Sequence, residues 1–335
     1  MEGRFMNNLI TDIDGISVGH AHDLDLASGV TAIIFDRPAV ASGLALGGAP
    51  GSRDQLLLDP ARTVETVDAF VLSGGSAFGL DAAGGVQSGL RADGRGLAIG
   101  PALIPIVPGA ILMDLLNGGD KDWGLHAPYR DLGYQAYRNA QKGPFALGTV
   151  GAGTGATTVN LKGGLGSASA VSAAGFTVAA LVAVNAMGSV TMGDSPYFWA
   201  GSLERDGEFG GRGLPATMPE DAHRLAIKGG PTTATTIGVV ATDARLSKQQ
   251  CYRLAVMAHD GLARAIQPAH LPFDGDTVLS AATGEKQAPD DLAFAEICML
   301  AASTMARAIA RGVHEAETLP QRGALESWKE KFGRR

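Results

Sequence analysis

The chain has 335 residues, of which 45% are hydrophobic and 18% charged, and its formal net charge is −7. This composition supplies a sizeable core and excludes a largely disordered chain. The acidic balance, with no basic patch, gives no electrostatic support for a nucleic-acid partner. The two cysteines, Cys251 and Cys298, both lie in apolar periodic segments, which indicates buried thiols in a reducing cytoplasm. The N-terminal residues lack the layout of a signal peptide.

Short apolar runs predict buried strands in the first third of the chain. Residues 29–35 are β-branched and apolar, and this run ends at the Asp-Arg-Pro of 36–38. Residues 69–72 form a second strand, which leads through a glycine-rich turn into a small-residue helix ending near Leu90. The same strand–glycine–helix order recurs near Gly148.

The most apolar stretch, residues 168–192, is interrupted by Ser, Gly, Thr and Asn. These interruptions argue against a membrane-spanning helix. The stretch is predicted to form a helix followed by a buried strand that ends at Asn185. We therefore expect no membrane partner.

The second half begins with residues 203–233, a segment rich in charged residues that is predicted to be an exposed linker. Strands and helices then alternate again, so that both halves together predict a layered α/β or α+β domain. The later elements are a strand at 235–242, a helix capped by Ser247 and ending at Ile266, a strand at 277–281, a helix from Asp290 to Ala310 closed by Gly312, and a peripheral tail after His314.

Residues 151–156, Gly-Ala-Gly-Thr-Gly-Ala, fit the loose pattern of a dinucleotide-binding turn. A nicotinamide site also needs a helix that opens at the motif and an acidic residue about 20 positions later. The next residues favour a strand, and no Asp or Glu occurs between Asp131 and Asp194. A structural turn is therefore the preferred interpretation, and no cofactor is predicted.

Other candidate chemistry is sparse, and each residue has a structural alternative. Lys162 lies in the acid-free stretch and is either a solvated lysine or a buried one that needs a partner from elsewhere in the chain. His20 and His22 have a spacing seen in metal sites, but no second cluster of His or Cys completes one, so no metal is predicted. Ser76 lacks the context of a serine nucleophile and is predicted to cap a helix or line the site.

The junction of Ala234 and Thr235 places a hydroxyl residue at the start of a buried strand, directly after the polar segment. If this bond is cut, Thr235 gains a free α-amine beside its own hydroxyl. The pKa of such an amine is about 8, which suits a general base near neutral pH. Nucleophile and base then lie on one residue, although a Thr-Thr pair at a strand start is by itself usually only structural.

Six motifs occur in order along the chain and surround these candidate residues. Together they are more specific than any one of them. They are TDIDGISVGH (11–20), SGGSAFGL (73–80), VGAGTGA (150–156), VN (184–185), TTIGVVATD (235–243) and DGDT (274–277).

With these motifs the chain resembles the L-aminopeptidase/D-amidase–esterase family, which also contains the β-aminopeptidases and the nylon-oligomer hydrolases. The resemblance covers roughly residues 9–312. It implies an α+β fold, a single αββα sandwich domain similar to that of the N-terminal-nucleophile hydrolases. It also implies self-cleavage of 1–335 into fragments 1–234 and 235–335, which stay associated in a homo-oligomer of such pairs.

The resemblance also assigns roles to particular residues. It places the nucleophile on Thr235, the oxyanion-binding asparagine on Asn185, and the lysine of the nylon-oligomer hydrolases on Lys162. The acidic pair falls on Asp274 and Asp276, which would supply the partner that a buried Lys162 needs. The implied reaction is hydrolysis of a small amide or peptide through an acyl-enzyme, without a cofactor.

Two positions depart from the family pattern. Ala234 stands where the nylon-oligomer branch often has Asn, which bears on the efficiency of cleavage. Met113 aligns with a family aromatic residue, which bears on substrate preference.

Two rival functions stay open at this point: an acyltransferase on the same scaffold, and a non-catalytic binding protein. The substrate also stays open among small peptides, β-amino and D-amino acid amides, and nylon oligomers.

Overall fold

The structure is a computed structural model, and it describes residues 6–228 and 234–333. The last residues of the predicted linker, 229–233, lie outside this description. In the described residues the strands are β1 (Ile16–Asp23), β2 (Ser28–Ala45), β3 (Ser52–Arg53), β4 (Thr66–Ser73), β5 (Leu97–Ile99), β6 (Ala102–Ile104), β7 (Gly109–Ile111), β8 (Gly164–Val171), β9 (Thr177–Asn185), β10 (Thr235–Thr242) and β11 (Thr277–Ala282).

The α-helices fall into two pairs and a short terminal helix. The longer ones begin where the sequence offers a capping side chain: Ser247 and Asp290 accept hydrogen bonds from the first turns of their helices. The helices are α1 (Ala82–Ala92), α2 (Tyr129–Arg138), α3 (Lys248–Ala265), α4 (Asp291–His314) and α5 (Trp328–Phe332).

A single long strand, β2, joins the two halves of the main sheet. Its first part pairs with β1 and β4, and its last part pairs with β11. The strand order is β3-β7-β4-β2-β11-β10-β9-β8, with β1 added beside β2. The predicted end of this strand at 36–38 is wrong, because the chain crosses Pro38 at a register irregularity and continues. A proline is accepted there because the ladder is already interrupted.

The two halves of the sheet pack face to face and each carries a helix pair on its outer face, which confirms the αββα sandwich. Alternation along β2 shows the arrangement, since Ile33 and Phe35 enter the core between the sheets while Ala32 and Ile34 face α1 and α2. The other sheet half contacts α3 and α4 through Val178, Val182 and Val240. Asn185 ends β9 and Thr235 begins β10, and both strands lie in the interior of the sheet.

The predicted helix in residues 168–192 is wrong, because these residues form β8 and β9. A glycine just before this stretch allows a helix to pack closely on the strand. A Cβ on Gly166 would lie 1.9 Å from the carbonyl oxygen of Ala308, so glycine here lets α4 pack directly on β8. The predicted end of the last long helix at Gly312 is also wrong, because α4 continues to His314. Gly312 instead allows close packing on β8, since a Cβ there would lie 2.9 Å from the Gly166 nitrogen. No helix follows Gly148; a short 3₁₀ turn, Gly151–Gly153, takes its place.

Helix α4 is the element in the described residues whose length and apolarity would allow it to cross a membrane. Its most apolar stretch is 67% buried inside the protein, against α3, β8 and β9. This burial is that of a core helix.

Candidate active site

Thr235 and Asn185 lie directly opposite each other in the antiparallel pair β10–β9. Opposed residues project their side chains from the same face of a sheet, with Cβ atoms about 4.5–5.5 Å apart. Both are buried, with 3% of Thr235 and none of Asn185 exposed. The structure therefore brings together the two residues on which the proposed chemistry depends most.

The peptide bond before Thr235 is contacted by two hydrogen-bond donors. The carbonyl oxygen of Ala234 accepts one from Thr235 Oγ1 at 2.6 Å and one from the Gly275 N–H at 3.0 Å. Ala234 and Asp274 form an isolated parallel bridge, which places the 274–276 loop beside this bond. A Cβ at position 275 would lie 2.6 Å from Thr235 Oγ1, so the approach of this loop requires glycine.

Asp276 is held as an ionised carboxylate beside the nucleophile. It accepts hydrogen bonds from the Thr236 N–H at 2.9 Å, and from Nδ1 and the N–H of His270 at 2.8 and 3.0 Å. Burial by itself would raise the pKa of Asp276, but these donors hold the pKa below its ordinary value.

Asp274 has the opposite environment. Its Oδ1 accepts a hydrogen bond from the Gly275 N–H at 3.1 Å, while its buried Oδ2 has no hydrogen-bond partner among the described residues. Burial, and next the charge of Asp276, raise the pKa of Asp274. Two carboxylates whose environments push their pKa values apart are an arrangement that active sites use for acid and base roles.

The side-chain amide of Asn185 has a defined orientation. Its Oδ1 accepts hydrogen bonds from the Thr157 N–H at 3.0 Å and from Lys228 Nζ at 2.7 Å. Its Nδ2 donates to the carbonyl oxygen of Met113 at 2.9 Å, and its second N–H makes no hydrogen bond within the described residues. That free donor is what an oxyanion-binding amide needs.

Lys162 is fully buried, which agrees with the second of the two alternatives that the sequence left open. Its hydrogen-bond partners, however, are not the two aspartates expected. Its Nζ donates to the carbonyl oxygens of Gly153, Ala156 and Gly163 at 2.7 to 3.0 Å. The expectation that Asp274 and Asp276 supply its partner is therefore wrong, because three backbone carbonyls already use its three N–H donors. Burial, and next the charge of Lys228, lower the pKa of Lys162 to about 7.

The turn at 151–156 supplies two of these carbonyls, those of Gly153 and Ala156. Its glycines also allow close packing, since a Cβ on Gly153 would lie 2.2 Å from the Leu165 nitrogen and one on Gly155 2.3 Å from the Ala27 carbonyl oxygen. The His20 and His22 pair shows no metal geometry either. His20 Nδ1 hydrogen-bonds Thr31, and burial, then His22, lower the pKa of His20 to about 4. No group of three or more metal-binding side chains occurs in the described residues.

A cavity of about 300 Å³ is lined by Met113, Thr157 and Lys228, the residues that hydrogen-bond the side chain of Asn185, although neither Asn185 nor Thr235 lines it. Its wall also contains Lys162 and Asp114. Asp114 accepts hydrogen bonds from Ser28 Oγ and the Gly75 N–H. Burial raises the pKa of Asp114. The tail predicted to be peripheral also lines this cavity, so that prediction is wrong. The residues of the tail that line the cavity are Leu319, Arg322, Gly323, Ala324 and Leu325.

Sequence reasoning missed several parts of this site. The DGDT motif marked the two acids but not the Gly275 N–H between them. Lys228 belongs to the charged segment of residues 203–233, in which no local pattern distinguishes it. His270 has a left-handed backbone, with φ of +58°, which sequence inspection does not reveal.

Residues 8–325 match the family model Peptidase family S58. The chain belongs to peptidase family S58. An uncharacterized aminopeptidase of Mycobacterium tuberculosis (strain ATCC 25618 / H37Rv) is 43% identical, over 92% of this chain and 94% of that protein. A 6-aminohexanoate-oligomer endohydrolase of Paenarthrobacter ureafaciens is 28% identical, over 83% of this chain and 76% of that one.

Two solved structures have a similar fold. A Burkholderia sp. beta-aminopeptidase superposes with a TM-score of 0.70 at 27% identity, covering 99% of this chain and 92% of that one. The L-aminopeptidase D-Ala-esterase/amidase of Ochrobactrum anthropi, described as a variant of the Ntn hydrolase fold, gives 0.67 at 21% identity, covering 98% and 94%. The family and the names of its members support a hydrolase of peptide or amide bonds.

Proposed function

We propose that this S58 chain is a self-processing amide hydrolase whose nucleophile is Thr235, exposed by cleavage after Ala234. The observation that carries the proposal is the hydroxyl of Thr235 at 2.6 Å from the carbonyl oxygen of the bond to be cut, with the Gly275 N–H on the same oxygen. A nucleophile in contact with a carbonyl that already has a backbone donor is prepared for intramolecular attack.

Self-cleavage would proceed as an acyl shift. Oγ1 of Thr235 attacks the carbonyl carbon of Ala234 while the developing oxyanion keeps its hydrogen bond to the Gly275 N–H. The C–N bond breaks, the proton from the hydroxyl goes to the leaving nitrogen, and an ester remains on Oγ1. Water hydrolyses this ester, which leaves a carboxylate on Ala234 and a free α-amine on Thr235.

The same threonine would then hydrolyse substrates. The new α-amine, with a pKa of about 8 when unperturbed, takes the proton from Oγ1 as the hydroxyl attacks the substrate carbonyl. The free N–H of Asn185 donates to the oxyanion. The carboxyl of Asp274 has a raised pKa and an Oδ2 without a hydrogen-bond partner among the described residues, so it can exchange a proton with the amine. Asp276 positions the strand through the Thr236 N–H. Lys162 holds the turns of residues 153–163 that support Asn185.

The proposed substrates are small amides or peptides. The cavity of about 300 Å³ lies at the lower limit of ligand pockets, which favours short substrates. Related proteins are named aminopeptidase, beta-aminopeptidase and 6-aminohexanoate-oligomer endohydrolase, and these names define the panel to test. A homo-oligomer of processed chains stays a prediction.

Intact-mass spectrometry and N-terminal sequencing of the purified protein test the proposal. We expect two fragments, the smaller beginning Thr-Thr-Ile-Gly, and release of p-nitroaniline from one or more of the L-alanyl, D-alanyl, β-alanyl and 6-aminohexanoyl anilides. A fragment beginning at Thr236 would contradict the assignment of the nucleophile. A single uncut chain without activity would favour a binding protein, and faster turnover with transfer to an added amine would favour an acyltransferase.

A further inference from the structure

We propose that Lys228 is a positioning residue that fixes and polarises the amide of Asn185 for oxyanion binding. This inference rests on the proposed function, because it concerns the asparagine used in hydrolysis. It adds a residue to the site that is neither in the six motifs nor in the acidic pair.

The contacts of Lys228 define its relation to Asn185. Its Nζ donates to Asn185 Oδ1 at 2.7 Å and to the carbonyl oxygen of Thr157 at 3.1 Å. The Thr157 N–H donates to the same Oδ1 at 3.0 Å. Because two donors converge on this oxygen, the NH₂ group of Asn185 must face the opposite way, toward the carbonyl oxygen of Met113.

The ammonium charge gives Lys228 a role beyond that of the Thr157 N–H. A charged donor on Oδ1 draws electron density from the amide and makes its N–H groups stronger donors. Burial lowers the pKa of Lys228 to about 8, while Asp114 and Asp274 oppose that shift, so the cation persists at neutral pH. Lys228 also lines the cavity, together with Thr157.

Lys228 precedes the nucleophile by seven positions in the chain, yet cleavage would assign the two to different fragments. The Lys228 backbone is attached independently of that bond, because its N–H donates to the carbonyl oxygen of Met187 at 3.1 Å. The contact between Lys228 and Asn185 therefore lies wholly within the fragment 1–234, together with Met187 and Thr157.

A double-mutant cycle of Lys228→Met and Asn185→Ala tests the inference on fully processed enzyme. We expect Lys228→Met to lower kcat about 10- to 100-fold with little change in KM, as for loss of a charged hydrogen bond. In the Asn185→Ala background the same substitution should have no further effect. Lys228→Arg, which keeps the charge, should recover most of kcat, and Lys228→Gln less.

Lys248→Met is the matched control, because Lys248 Nζ also donates to backbone carbonyls, those of Leu57, Arg62 and Val64, away from the site. It should lower the melting temperature and leave kcat unchanged. Equal losses from Lys228→Met in both backgrounds, or a normal kcat, would overturn the inference. If Lys228→Met does not fold, the Arg and Gln variants decide by the same comparison. Absence of wild-type cleavage and hydrolysis would instead refute the proposed function.

Discussion

The carbonyl oxygen of Ala234 accepts a hydrogen bond from the Gly275 N–H at 3.0 Å. This contact connects the bond proposed for cleavage to the loop of residues 274–276. In that loop the pKa of Asp274 is raised and the pKa of Asp276 is lowered. Asn185, the asparagine predicted to bind the oxyanion, does not contact this carbonyl in the structure; its bound N–H donates to Met113, and a backbone amide contacts the Ala234 carbonyl instead.

Gly275→Ala should block self-cleavage. The new methyl group would lie 2.6 Å from Thr235 Oγ1 and 2.9 Å from the carbonyl oxygen of Ala49, so either the hydroxyl or the loop must move. Denaturing gels taken over several days after purification measure the uncut fraction. Gly84→Ala is the control. Gly84 lies in α1, and a Cβ there would approach no atom closer than 3.4 Å, so this variant should cleave normally. Normal cleavage of Gly275→Ala would contradict the geometry of attack.

Thr235→Ala should yield a folded, uncut and inactive chain, since the attacking atom of both reactions is gone. Thr236→Ala is a close control. The Thr236 hydroxyl is buried without a hydrogen-bond partner among the described residues, so its loss should leave processing intact. Intact mass, hydrolysis rate and melting temperature distinguish the two variants. An active, cut Thr235→Ala protein would show that the nucleophile is another residue.

Asn185→Ala should lower kcat about 10²–10³-fold with a much smaller change in KM, the usual effect of losing an oxyanion donor. Self-cleavage should slow less than hydrolysis, because the Ala234 carbonyl retains the Gly275 N–H. Steady-state kinetics on fully processed material and a cleavage time course measure the two effects. A near-normal kcat with a lowered melting temperature would leave Asn185 only its structural hydrogen bonds.

His270→Asn should move the acid limb of the kcat/KM profile to higher pH. Asparagine tolerates the left-handed backbone at this position, but it removes the ring that hydrogen-bonds Asp276. Since that bond holds the pKa of Asp276 down, its loss raises this pKa, and the ionised form appears only at higher pH. An unchanged acid limb would show that ionisation of Asp276 does not govern activity.

The sequence predicted those features that local patterns encode. The strand from Thr235 and the helix capped by Ser247 follow from periodicity and capping. For Lys162 the sequence left a solvated and a buried side chain both open. The partners of Asn185 could not be predicted, because Met113, Thr157 and Lys228 come from segments that only the folded chain brings together. Those of Lys162 lie within nine residues of it, but no side-chain pattern marks a backbone carbonyl as the partner of a lysine. The helix predicted within 168–192 is wrong for another reason: small residues suit both a helix and a strand on which a helix packs closely.

The position of β10 and β11 has a consequence for how a processed molecule would recover from denaturation. Both strands follow Thr235, yet β10 pairs with β9 and β11 with β2, which precede the cut. An intact chain regains these pairings within one molecule, whereas two separated fragments must first meet by diffusion. Refolding of processed protein should therefore be second order and depend on concentration, and that of Thr235→Ala should not.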